Sequence, residues 1–195
     1  MKKLLKFILI GITLVLTIGF LFTLYLKSDF YNPFDNNKLE NLKFQIDSSN
    51  ELPTNFVKVF DEINPITNTN GIILDGINEK YNRECPCLRA GSMSSLFELR
   101  RFKMNQYVLA WKLEKEFTQN ECLNYYVQNF DFGYDNKGLN SASEFYFSKR
   151  ISELNHEELA TLVLMLKNPV LYNPKRFPER LKEKLTEIKT NHNSA

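Results

Sequence analysis

The chain has 195 residues, with 25 Lys and Arg against 23 Asp and Glu, for a net charge of +2. So balanced a charge argues against nucleic acid or a strongly acidic partner. Three cysteines, Cys85, Cys87 and Cys122, suit an exported protein that does not depend on a disulfide framework.

Phe7 to Leu26 reads FILIGITLVLTIGFLFTLYL, an apolar run of 20 residues without a charge. As a helix it spans roughly 30 Å, the thickness of a bilayer's hydrocarbon core. Lys2, Lys3 and Lys6 precede it, whereas Lys27 is soon followed by Asp29. That basic excess predicts an N-terminus in the cytoplasm and residue 27 onward across the membrane. A cleaved signal peptide is the rival reading, but the apolar core is long for one and no small-x-small site follows Leu26. Residues 1–27 are therefore expected to be a cytoplasmic tip and signal anchor. About 165 residues remain, enough for one domain with a core.

Residues 28–51 are polar and Asn-rich and are expected to form a stalk or extended lead-in. A domain is expected over 52–189, with a disordered tail at 190–195. Pro53 can occupy the first turn of a helix through Phe56, Val59, Phe60 and Ile63, which Asn64-Pro65 stops. Ile66 to Ser95 holds Gly71, Gly76, Pro86 and Gly91 among polar residues, and reads as irregular with one short helix around Leu74 to Tyr81. From Leu96 the pattern is helical: Leu99, Phe102, Leu109, Leu113 and Phe117 mark one buried face. Thr118-x-x-Glu121 is a capping box opening the next helix, Ser141-x-x-Glu144 opens another, and Asn155 with Glu158 a third that ends at Asn168-Pro169. Pro178 to Lys189 predicts an amphipathic helix. No run alternates as a strand would, so the fold class is mainly α.

Cys85 and Cys87 are too close for an ordinary disulfide with each other, and no His stands near them to complete a zinc site. Pairing of one of them with Cys122 stays open, with at least one thiol left over; unpaired thiols are the expected state. His156 reads as an exposed first-turn residue and His192 as part of a polar tail. Gln106 shares the face of Leu99, Phe102, Leu109 and Leu113, so it must find partners inside the fold or line a cleft, since an unpaired buried amide costs about 1–3 kcal/mol. Lys103 lies on the margin of that face, after Arg100 and Arg101.

Tyr126 to Lys149, YVQNFDFGYDNKGLNSASEFYFSK, resembles the Y-L-N-x-x-Y-F-G…G-I-x-A-A-A-x-x-Y-F-G-K stretch of peptidoglycan glycosyltransferases, the transglycosylase domains of class A penicillin-binding proteins and monofunctional transglycosylases. ISELNHEELATLVLMLKNPVLYNP continues the match, and FKMNQYVLAWKLEKEFTQNECLNYY resembles the family's R-K-x-x-E-x-x-x-A-x-x-L-E…I-L-x-x-Y-L-N. The resemblance implies a lysozyme-like, mainly α domain lying against the outer (periplasmic) face of the bacterial inner membrane. Its implied partners are the membrane, lipid-linked peptidoglycan precursor, the glycan strand and other cell-wall synthesis proteins.

Laid on the family's opening motif E-D-x-x-F-x-x-H-x-G-x-D-x-x-G-I, DEINPITNTNGIILDGI keeps Glu62, Gly71, Gly76 and Ile77 in register. Glu62 then holds the place of the carboxylate that deprotonates the acceptor hydroxyl. Ile63, Ile66, Thr69 and Ile73 replace the family's Asp, Phe, His and second Asp. The donor-site motif G-G-S-T-I-T-Q-Q appears as AGSMSSLF, keeping Gly91, Ser92 and Ser95. The second catalytic Glu falls on Gln106, Lys103 is retained, and Gln119 stands near a family basic position.

Transfer from a polyprenyl diphosphate needs a base near the attacking hydroxyl and positive charge or metal at the leaving diphosphate. Lys103, Arg100 and Arg101 could supply the charge; a divalent cation, Mg or Mn, is the one cofactor the resemblance leaves open, with no metal ligands assigned in the chain. Two functions follow: a divergent glycosyltransferase with a degraded catalytic half, or an inactive relative that binds precursor, glycan or a cell-wall synthesis partner. Hydrolysis of glycan is a third reading that no carboxylate pair supports.

Overall fold

The computed structural model describes residues 2–78, 83–94, 96 and 105–192. Among these residues the regular elements are all helices, with only isolated β-bridges such as Ile66 with Glu84. It adopts the mainly α, lysozyme-like class.

Helix α1 (Lys2–Lys27) is long and apolar enough to cross a membrane, and its apolar window is not buried by the rest of the chain. Its last turn is different. Leu26 is buried, and Tyr25 stacks on Tyr31. Residues 28–51 are not an extended stalk. They contain α2 (Asn36–Asp47), whose N-terminus is capped by the Asp35 carboxylate accepting from the Lys38 amide at 2.9 Å. Leu39, Leu42 and Ile46 recur on one face and are buried, so an Asn-rich segment still docks by three well-spaced side chains.

Helix α3 (Thr54–Ile63) starts after Pro53 and stops at Asn64, burying Phe56, Val59 and Phe60. The stretch expected to be mostly irregular holds two helices. Asn68 caps α4 (Thr69–Ile77) by accepting from the Gly71 amide at 2.9 Å, and Pro86 sits in the first turn of α5 (Pro86–Met93). Both are short and carry glycine, which weakens their periodicity. Helix α6 (Asn105–Leu113) buries Leu109 and Leu113, as the spacing predicted, while Leu99 and Phe102 lie outside the described residues. A Cβ on Gly91 would come within 3.2 Å of Leu109, so that glycine sets the close approach of α5 to α6.

The Thr118–Glu121 box opens α7 (Gln119–Asn129), and the Asn155–Glu158 box opens α9 (His156–Lys167). Helix α8 (Gly138–Phe147) begins three residues before the expected Ser141. Gly138 has φ of +80°, and a Cβ there would lie 2.8 Å from the Gln128 carbonyl, so glycine dictates the turn into α8. Ser141 instead donates from its hydroxyl to the Asn136 side-chain oxygen at 3.0 Å. Helix α10 (Pro178–His192) closes the fold.

The core forms two clusters. One gathers Phe56, Phe60, Leu123, Val127, Leu162 and Met165; the other gathers Leu26, Ile46, Leu109, Leu113 and Tyr125. Helix α7 contributes to both. Cys87 on α5 and Cys122 on α7 form a disulfide with their Cα atoms 4.8 Å apart, which corrects the expectation of unpaired thiols; Cys85 remains free and buried. A disulfide agrees with an oxidising compartment.

Candidate functional site

A cavity of about 330 Å³ opens between α4, the extended residues 83–85, α5 and α6. Ile72 and Asp75 come from α4, Arg83, Glu84 and Cys85 from the extended stretch, Leu88, Arg89 and Ser92 from α5, and Gln106 from α6. Asp75 points inward and is only 5% exposed. Its burial is compensated by Arg83, whose Nε donates to Oδ2 at 2.8 Å. Arg89 makes a two-pronged pair with Glu84, Nε to Oε2 at 3.0 Å and Nη2 to Oε1 at 2.7 Å. The bond to Glu84 holds the Arg89 proton above its ordinary range, and the bond to Asp75 does the same for Arg83.

Beside the cavity Glu114 gathers hydrogen bonds from α4 and α7. Its Oε1 accepts from the Thr69 amide at 2.7 Å, the Thr69 hydroxyl at 2.8 Å and Gln119 Nε2 at 2.9 Å. The carboxylate thus sits at the positive end of α4. Gln119 also accepts from the Cys87 amide at 3.0 Å, coupling the network to α5. Thr69 and Gln119 are neutral and engaged with one another through Glu114. The Cys85 thiol lies within 3.4 Å of Glu114 Oε1 and is pushed up to about 12, chiefly by burial. It is a protonated, unreactive thiol at neutral pH.

The structure brings Gln106 and Ser92 to one cavity. Gly91 is buried behind it, packed on Leu109, and Ser92 donates its hydroxyl to the Arg89 carbonyl at 2.8 Å. Glu62 does not line this cavity. It sits near the end of α3, half-buried, with Oε2 3.0 Å from His156 Nε2 on α9. Lys103, Arg100, Arg101 and Ser95 lie outside the described residues. Sequence reasoning missed Asp75, Arg83, Glu84 and Arg89; their ion pairs form between the end of α4 and the start of α5, where no periodic signal exists. Asn64 was also missed. It is 1% exposed, and its Oδ1 has no hydrogen-bond partner among the described residues.

Among the described residues no group of three or more His, Cys, Asp or Glu is placed to hold a metal by itself, and both carboxylates of the cavity are paired with guanidinium groups. The arrangement can donate hydrogen bonds from the Gln106 amide, accept one at the Ser92 hydroxyl oxygen, and present guanidinium groups to an anion that competes for them.

A family model described as Transglycosylase matches residues 92–192. Penicillin-binding protein 4 of Bacillus subtilis is 36% identical over 72 residues, 37% of this chain and 12% of that protein. Penicillin-binding protein 2a of Streptococcus pneumoniae is 39% identical over 72 residues, 37% and 10% of the two chains. Penicillin-binding protein 1A of Neisseria cinerea is 36% identical over 80 residues, 41% and 10%. The chain spans about a tenth of the length of these relatives.

Proposed function

The chain belongs to the transglycosylase family, and from that membership we propose that it is a membrane-anchored peptidoglycan glycosyltransferase-like protein. It takes up lipid-linked disaccharide precursor at the cavity between α4, α5 and α6. Helix α1 holds it in the bacterial inner membrane, with the N-terminus cytoplasmic and the domain on the outer face.

The observation that carries this reading is the coincidence of the family match with the cavity: Ser92 and Gln106, which line it, both fall within residues 92–192. The precursor's diphosphate would meet Arg83 and Arg89, with Lys103, Arg100 and Arg101 close in sequence to Gln106. Its sugar would meet the Gln106 amide and the Ser92 hydroxyl. Catalysis is degraded, because Gln106 replaces a carboxylate and cannot take a proton or carry charge. Losing one transition-state group of this kind costs about two to three orders of magnitude in rate.

A second reading, an inactive relative that binds precursor, glycan or another cell-wall synthesis protein, is favoured by one feature. Each charged side chain described in the cavity wall is in an ion pair, which leaves Gln106 without a poised base beside it. A polymerisation assay with lipid-linked precursor separates the two. A divergent enzyme makes glycan slowly, and Gln106→Glu makes it faster. If wild type polymerises briskly and the substitution leaves the rate unchanged, the degraded-site reading fails. If neither protein polymerises or binds precursor, the transferase reading fails.

A further inference from the structure

The turn between α7 and α8 holds three successive residues at positive φ: Gly133 at +93°, Tyr134 at +55° and Asp135 at +60°. Glycine takes that conformation freely, whereas a tyrosine there crowds its Cβ against its own backbone. The turn is nevertheless fixed from several sides. Phe132 donates its amide to the Asn136 carbonyl at 2.9 Å, and Gly138 donates to the Phe130 carbonyl at 2.9 Å. Asp131 Oδ1 accepts from the Gly133 amide at 2.7 Å. Asn136 is only 9% exposed; its Nδ2 donates to the Gly133 and Tyr134 carbonyls, each at 3.0 Å, and its Oδ1 accepts from Ser141. A buried amide thus grips the carbonyl of the strained tyrosine, and strain of this kind persists only where its surroundings over-determine it.

What the strain secures is an aromatic ring at the surface. Tyr134 is 57% exposed. Its ring leans on Phe145 of α8, with centroids 5.5 Å apart and planes 35° apart, and Lys175 Nζ lies 3.7 Å from the centre of Phe145. Among the described residues neither ring joins either core cluster, so core packing does not explain why a tyrosine occupies this turn. The surroundings narrow the ligand. Between residues 131 and 145 the other exposed residues are Asp131, Asp135, Lys137, Asn140 and Glu144. Hydrated charges of both signs do not suit a lipid tail, and three carboxylates repel a phosphate backbone. A neutral ring with an apolar C–H face and a rim of hydroxyl groups suits an aromatic face bordered by hydrogen-bonding side chains.

We propose that Tyr134 is a preorganised stacking platform for an N-acetylated sugar ring of a glycan strand, outside the cavity between α4, α5 and α6. None of the residues around Tyr134 lines that cavity. The choice of an N-acetylated strand among sugars rests on the peptidoglycan reading given above. A ring backed by Phe145 on a fixed main chain loses little freedom when a sugar stacks on it, so the ordering cost is met in the fold rather than at binding. The platform holds a strand against the domain whether or not the cavity turns over, and so serves the enzyme and the inactive relative alike.

The test uses the full chain in nanodiscs, carrying Ser92→Trp to fill the cavity, with peptide-free peptidoglycan glycan strands as the probe and dextran as the control. Tyr134→Phe keeps the ring, whereas Tyr134→Gly and Tyr134→Asn remove it and suit the positive φ. The Ser92→Trp parent and its Tyr134→Phe form should bind the strands and not dextran. Tyr134→Gly and Tyr134→Asn should lose at least about tenfold in affinity while melting no lower than the parent. No strand binding by the parent, equal affinity in the ring-less variants, or dextran held as well as the strands would each overturn the proposal. So would a lower melting temperature in both ring-less variants, since the ring would then serve packing. Retention only of strands that bear peptide stems would assign the surface to peptide and overturn it too. If wild type takes no lipid-linked precursor yet holds strands through Tyr134, the cavity reading fails and this one stands.

Discussion

At the scale of single residues, burial and pairing decide what each group near the cavity can do. Gln106 was legible as an inward-facing polar residue because a helical face contains it, and the family register supplied the reason to care. The ion pairs around it were not legible, since Arg83 and Arg89 read alone as solvated charges. Restoring a carboxylate by Gln106→Glu should raise polymerisation measurably but incompletely, because Thr69 and Gln119 stay neutral; a discontinuous glycan-product assay on gels reads the change. Cys85 gives a separate test of the same environment. Burial raises its folded pKa from 9.0 to about 12, so the fold favours the protonated thiol. A raised folded value means that its contribution to stability is complete below the unfolded pKa and is lost as pH climbs from 9.0 toward about 12. Thiol reagent at pH 8 should therefore leave the native protein unmodified and titrate one thiol once it is unfolded without reductant. A full equivalent reacting in the native state would contradict that burial.

At the scale of elements, the two true capping boxes were readable because Thr118–Glu121 and Asn155–Glu158 satisfy their own helix ends locally. The apparent box at Ser141 misled because the turn before it is governed by Gly138, a non-local matter of the Gln128 carbonyl. Helix α2 was masked by its asparagines. The Cys87–Cys122 link could not be assigned from spacing, as Cys85 just before α5 and Cys87 in its first turn both lie close to α7. That disulfide closes a separation of 35 residues, and loop-closure entropy assigns it about 3–4 kcal/mol. Replacing both cysteines with alanine should lower unfolding stability by about 2–4 kcal/mol in a denaturant titration, without changing helix content by circular dichroism. A loss well under about 1 kcal/mol would mean that α5 and α7 are held by packing alone.

At the scale of the whole molecule, two core clusters share α7, and α1 enters one of them through Leu26. The cavity lies between α4 and α6, whereas Glu62 pairs with His156 on the contact of α3 with α9. The sequence pattern alone announced the long apolar N-terminal helix and the mainly helical domain, because both depend on extended patterns of apolar residues. It could not announce the cavity, which is assembled from short segments with two internal ion pairs. The central claim is that this cavity receives the lipid-linked precursor. It is tested most directly by binding of lipid-linked disaccharide diphosphate to the full chain in nanodiscs, comparing wild type with Ser92→Trp. Ser92 is exposed at the cavity wall, so the larger side chain should fill the site without unfolding the helix. The account predicts saturable binding by wild type and at least about a tenfold loss of affinity in Ser92→Trp, a difference of about 1.4 kcal/mol. Equal affinity in the two proteins, or no binding by wild type, would contradict it.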